Sequence, residues 1–500
     1  MRLTMKQILS LLLCALLLLS MLVACGFPTN TPSGTSPDES VQGGTNENET
    51  TDPVQEALDE VLPDVDWEGK DFGILYVNDI GGYTEEVEAT ANYGGSSSSA
   101  VINDAVYERN SLFSEYCNLN FVLIPTSSSM VGTNLKTEVQ TGTGDFHLVT
   151  QTTSGTADSA LSGHLFNYLN LDIDYEKPWW DAGTLDFAMC GRVFFMDGPF
   201  NIVDDDVTYV MMFNKELREE HQIADPYQTV KNDDWTLDNF NAIISKLSIE
   251  NGDGKWDEFD TYGFAAPHSV GTTFFYGAGL QYVINDPTMD QPELALDASK
   301  MEKALDVLAK ARAIVHENNS SYIAEGTEYG KAKAIFMEGR SLYYVEAASY
   351  LRTLNQSMDN SYGVIPIPKY DKAQENYCTW RSAIGSTLSI PTTVASMDVE
   401  MFANVLEIYC LLSQKLVRPA YYDTMLTTRN VQDPESAEML NIIFANRIYD
   451  MGAYFETLGF NTLFMKSVKE ADTFSSSYAS ASKTFAKKMS VLMQKIEKID

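Results

Sequence analysis

Asn251, Asp253, Asp257 and Asp260 place oxygen side chains at the intervals of a calcium loop, with Gly254 where such a loop turns sharply. The position that would supply the first ligand is Ile249, which has no coordinating group. Two expectations follow: Ca²⁺ held by those four residues, or a turn-rich loop in which Asn-Gly and Asp-Gly serve backbone geometry. Catalytic spacing is harder to find. The chain contains no HExxH or GxSxG run, and His147, His164, His221, His268 and His316 are dispersed. Its many Asp and Glu residues leave room for a spatial carboxylate pair of the kind that cleaves glycosidic bonds. The acidic trio Asp204, Asp205 and Asp206 reads either as a hydroxyl-binding group or as a solvated turn. Cys117, Cys190, Cys378 and Cys410 lie far apart without a CxxC pair, which favours buried thiols over staples.

The amino-terminal elements say where this chemistry is deployed. In residues 1–24, Arg2 and Lys6 precede a long apolar stretch that ends in Leu22-Val23-Ala24, just before Cys25. A basic start, an apolar middle and small residues before a cut read as a secretory signal. Cysteine after Leu-Val-Ala resembles the bacterial lipobox, which implies cleavage before Cys25 and acylation of its thiol and new amino group. Residues 25–64 continue as the lipidated cysteine and a spacer rich in Asn, Thr, Ser, Gly, Pro, Asp and Glu. Such a segment buries too little apolar surface to offset its ordering entropy and is expected to be a flexible, acidic linker. The expected location is the extracellular face of the cell membrane, with a lipid as the only anchor.

The rest of the chain is too long for one core and should divide in two. A net charge of −36 and a sequence pI near 4.4 argue against nucleic acid, since no basic stripe is available to displace phosphate counterions. The same balance disfavours strongly anionic ligands. Compact apolar runs predict strands over 71–77, 119–125 and 145–151, with helices over 100–117 and 135–141 between them. That alternation predicts a parallel sheet covered by helices. Ligands of such sheets sit beyond the carboxyl ends of the strands, which selects Tyr83 and Thr152. Further strands are expected over 191–196, 208–213, 342–345, 362–367 and 387–390. Helices are expected from 214 and over 236–247, 300–317, 401–412, 434–448 and 471–499.

The runs GDFHLVTQ, YVMMFNKEL, KAIFMEGRSLYYVEAASYL, YGVIPIPKYD and SIPTTV follow one another in an order that resembles a known family. It is the extracellular solute-binding proteins of ATP-driven importers, the large sugar-binding group that includes maltose-binding protein. The resemblance covers about residues 65–500, and KPWWDAG and PESAEMLNIIF look like a subgroup common in Gram-positive anaerobes. It implies an α/β, two-lobed periplasmic-binding-protein-like (type II) fold with a hinge and an interlobe cleft. Lobe 1 would be 65–208 plus 362–412, and lobe 2 would be 209–361 plus 413–500. It further implies a monomeric non-enzyme that needs no cofactor, captures an oligosaccharide by hinge closure and delivers it to ABC permease subunits. Aromatic faces would stack on the sugar while carboxylates, amides and Arg hold its hydroxyls. On that basis the ligand residues are Trp380 and Arg381 in a polar loop, Glu346 and Ser349 after LYYV, Tyr276 in TTFFYGAG, and Asp204. Tyr83 and Thr152 join them by the strand-end rule. An exported glycoside hydrolase is the alternative reading.

Overall fold

The computed structural model describes residues 65–89, 99–317, 319–426, 434–455, 458–460, 462–470 and 473–496, which belong to one compact unit spanning Asp52–Asp500. The amino-terminal expectations, Cys25 among them, lie outside these residues. No helix among the described residues is long and apolar enough to cross a membrane.

The strand Asp71–Val77 is buried along nearly its whole length, as its unbroken apolar run requires, and it pairs in parallel with Asn120–Thr126 and Leu148–Thr152. Gly73 admits the neighbouring chain: a Cβ there would sit 2.3 Å from the carbonyl oxygen of Asp145. Ser386–Ser389 and Phe195–Met196 complete this five-stranded sheet. A second sheet runs in the order Ser321–Ala324, Thr261–Pro267, Ser341–Ala347, Tyr209–Asn214, Tyr362–Ile365.

Apart from the short strand Ser248–Ile249, which pairs antiparallel with Thr261–Pro267, one strand in each sheet opposes its neighbours, and the crossings explain why. Ser386–Ser389 runs against Leu148–Thr152, and Tyr209–Asn214 runs against Ser341–Ala347. Each has just crossed from the other sheet. A chain leaving one sheet at the carboxyl ends of its strands enters the next sheet at that same end, so it must run backwards. Both sets of carboxyl ends therefore face the crossings, and the hinge and cleft lie between them.

Local signals hold up in detail. Asn214 caps the helix Lys215–Glu220 by accepting from the Leu217 amide at 2.9 Å, and Asp297 caps Ala298–His316 through the Lys300 amide at 2.9 Å. Three expectations need correction. Tyr362–Ile365 pairs with Tyr209–Asn214 in the second sheet, so the return crossing is 366–385 rather than starting at 362. Pro366 and Pro368 end that strand by removing two ladder donors. The run at 191–196 is strand only at Phe195–Met196. The helix from Pro434 stops at Ala445, because Arg447–Ile448 pairs in parallel with Thr379–Trp380.

Candidate functional site

The acidic trio is neither a solvated turn nor a set of open hydroxyl binders. It forms the short helix Ile202–Asp206 in the first crossing, with Asp204, Asp205 and Asp206 all buried. Segments far along the chain supply the cations. Arg381, from the return crossing, is fully buried, and all three of its guanidinium nitrogens donate to acceptors. Its Nε donates to Asp204 at 2.6 Å. Its Nη1 donates to the Thr153 hydroxyl and to the Ser382 carbonyl at 3.4 Å. Its Nη2 donates to the Ser386 carbonyl at 2.7 Å and pairs with Asp197 at 2.8 Å. Arg447, in the strand Arg447–Ile448, pairs with Asp181, with Asp204 and with Asp205 at 2.7 Å. Arg352, from the helix Ser349–Ser357, reaches Glu85 at 2.8 Å and Asp206, which also accepts from the Tyr421 hydroxyl at 2.9 Å.

Burial pushes the Asp197 carboxyl well above the usual range. It also opposes ionisation of Asp204, but Arg447 and Arg381 outweigh it and hold that carboxyl low. The second aspartate is therefore the ionised one. This buried hub ties the two crossings to the strand Arg447–Ile448 and to the helix Ser349–Ser357. Arg381 and Asp204 belong to it, which leaves neither a free group to offer a ligand. Tyr83 is likewise buried, and its hydroxyl donates to the Ile384 carbonyl at 2.7 Å.

The residue before Arg381 behaves differently. Trp380 is partly exposed and lies nearly parallel to two tyrosine rings, with centroids 5.0 Å from Tyr209 and 6.0 Å from Tyr276. Its indole Nε1 is buried without an acceptor. The sequence reading put Trp380 in a polar loop; the strand pairing with Arg447–Ile448 sets it against a wall instead. Tyr276 is fully buried behind it, so it supports the wall without being exposed itself.

Tyr209 begins the reversed strand and pairs in register with Ala347, at the carboxyl end of Ser341–Ala347. Side chains alternate across a sheet, so Tyr209 and Glu346 lie on opposite faces of this strand end. Glu346 accepts from the Tyr329 hydroxyl at 2.7 Å, the Ala347 amide at 3.0 Å and the Tyr344 hydroxyl at 3.4 Å. Burial raises its pKa despite these donors. Ser349 starts the next helix, and Thr152 caps the helix Thr153–Leu161 by accepting from the Gly155 amide at 3.2 Å; both are partly exposed. The structure thus brings Trp380, Tyr276, Glu346 and Ser349 to one strand end and adds Tyr209 and Tyr329. Those two were missed because the run YVMMFN reads as plain core and Tyr329 lies in an ordinary helix start.

The Asn251–Asp260 loop satisfies itself. Asp260 accepts from the amides of Asn251 and Asp257 at 2.9 and 2.7 Å, and Asp253 from the Lys255 amide at 2.8 Å. Among the described residues no group of three His, Cys, Asp or Glu is placed to hold a metal ion.

No protein-family model matches the chain, and no curated protein matches it by sequence. Solved structures match its fold. A cyclo/maltodextrin-binding protein complexed with maltotetraose aligns with a TM-score of 0.55 at 11% identity, covering 84% of this chain and 97% of that one. UspC of M. tuberculosis aligns with a TM-score of 0.55 at 14% identity, covering 83% and 100%. The galacto-N-biose-/lacto-N-biose I-binding protein of the ABC transporter from Bifidobacterium longum, in complex with lacto-N-biose, gives 0.51 at 12%, covering 84% and 97%. The architecture is the two-lobed, type II periplasmic-binding-protein-like fold.

Proposed function

We propose that this chain is a sugar-binding solute-binding protein that captures a neutral carbohydrate, an oligosaccharide, between its lobes for an ABC importer. The observation that carries the reading is the strand end at Ala347. Aromatic rings (Trp380, Tyr209) stand on one face there, and a carboxylate with its phenol donors (Glu346, Tyr329) on the other. Such a pairing meets the two surfaces of a sugar, apolar C–H faces and a rim of hydroxyls. Arg381, Arg447 and Arg352 are engaged by carboxylates, which argues against a strongly anionic ligand. Hinge closure would follow from the ligand's differential affinity for the form in which both lobes touch it. The lipobox at Cys25 supports display from a lipid anchor on the outer face of the membrane, and the fold supports delivery to permease subunits.

The test is a melting-temperature screen with neutral oligosaccharides, maltotetraose and lacto-N-biose among them, beside phosphorylated and uronic sugars. The reading expects a saturable rise with a neutral glycan and no hydrolysis product on chromatography. Release of shorter sugars would establish the glycosidase alternative, and a rise confined to the anionic sugars would overturn the neutral-ligand assignment.

A further inference from the structure

The wall and the hub share a two-stranded ribbon. In its first strand Trp380 belongs to the wall and the next residue, Arg381, to the hub. In its second strand Arg447 belongs to the hub, and Asp450 lies three residues further on. Asp450 is fully buried and spends both oxygens on four donors. Its Oδ2 accepts from the Tyr276 hydroxyl at 2.9 Å and the Tyr282 amide at 2.7 Å. Its Oδ1 accepts from the Val283 amide at 3.2 Å and the Gly452 amide at 2.8 Å.

We propose that Asp450 is a positioning residue for the ligand wall: through Tyr276 it sets the plane of Trp380 without touching the ligand itself. The chain of contact is short. A phenol held at its hydroxyl end cannot slide along its own plane, and the Tyr276 ring lies within 13° of the Trp380 plane. The amides of Tyr282, Val283 and Gly452 fix the carboxylate in turn, so the angle is set by backbone rather than by a mobile side chain. Among the described residues, the titratable groups that interact with the carboxylate are the phenols of Tyr276, Tyr282, Tyr454 and Tyr478. Burial accordingly lifts its pKa to about 6. The role rests on the proposed carbohydrate site, but its geometry can be tested without any sugar.

The experiment uses the full chain labelled with 5-fluorotryptophan, whose six tryptophans give six fluorine resonances. Trp380→Phe assigns the resonance of interest. Tyr276→Phe, which keeps the ring and removes only the hydroxyl, should shift the Trp380 resonance and leave those of Trp67, Trp179, Trp180 and Trp256 in place. Asp450→Asn should shift it in the same direction; should that variant not fold, Tyr276→Phe decides alone. A Trp380 resonance unmoved in a folded Tyr276→Phe protein overturns the proposal. In a parallel maltotetraose titration, Tyr276→Phe should bind about threefold to tenfold more weakly, the worth of one hydrogen bond. Failure of the wild type to bind any carbohydrate would count against the site reading and leave the fluorine result on Asp450 standing.

Discussion

Arg381 and Trp380 are adjacent in the chain, yet the two regions they belong to are filled in opposite ways. Around Arg381 all three guanidinium nitrogens donate to acceptors, and the carboxylates come from segments that meet only at the crossings. Around Trp380 the contacts are ring on ring, the indole N–H has no acceptor, and part of the side chain is open. A buried, ion-paired charge cluster can hold the segments it joins but is closed to a ligand. A partly open aromatic wall presents ring surface instead. The difference separates the hub from the proposed site by one residue.

Breaking the hub should give the largest effect. Arg381→Met removes the cation that Asp197 and Asp204 share and leaves Asp204 with Arg447 alone; removing one partner of a buried pair costs about 3–5 kcal/mol. Urea unfolding should register a loss of that size. A change below about 1 kcal/mol would mean that the hub is not what holds the crossings.

A gentler probe acts at Glu86, which is fully buried beside the hub and accepts from the Ser386 hydroxyl at 2.9 Å and the Val203 amide at 3.2 Å. Burial pushes its carboxyl up to about 8. The folded state therefore holds a proton that the unfolded chain gives up near 4.5. That contribution to stability is complete below 4.5 and is lost as the pH rises through 8. Glu86→Gln should remove up to about 1.4 kcal/mol per pH unit of this slope across that window. Parallel stability–pH curves for wild type and variant would show that Glu86 is not protonated in the native state.

The smallest effect is expected at the Asn251–Asp260 loop. Its carboxylates already accept the loop's own amides, so melting curves in chelator and in millimolar Ca²⁺ should coincide. A bound ion at a hundredfold its dissociation constant would instead add about 2.7 kcal/mol.

How much of this was legible in the sequence follows from the range of the interactions. Asp71–Val77 was readable because a strand buried on both faces must be an apolar run. Helix starts were readable because Asn214 and Asp297 cap them from next door. The hub was not: Asp204 meets Arg381 and Arg447 across 177 and 243 residues, and locally the trio looks like any acidic turn. Trp380 was readable as a candidate because tryptophan is rare here. Its surroundings were not, since the polar letters around it conceal a strand pairing with Arg447–Ile448 and a stack on Tyr209. Arg381 was misplaced by the same neighbourhood, being next to an open residue while itself buried.

If the Trp380 wall, and not the hub, meets the ligand, then calorimetric titration of the glycan giving the largest melting rise should separate wild type from Trp380→Ala. Loss of the indole should cost about 1–3 kcal/mol of binding, a tenfold to hundredfold weaker affinity. Some stability should go with it, because Trp380 packs on Tyr209 and Tyr276. A folded Trp380→Ala protein that binds the glycan as tightly as the wild type would contradict the account and place the site elsewhere in the cleft.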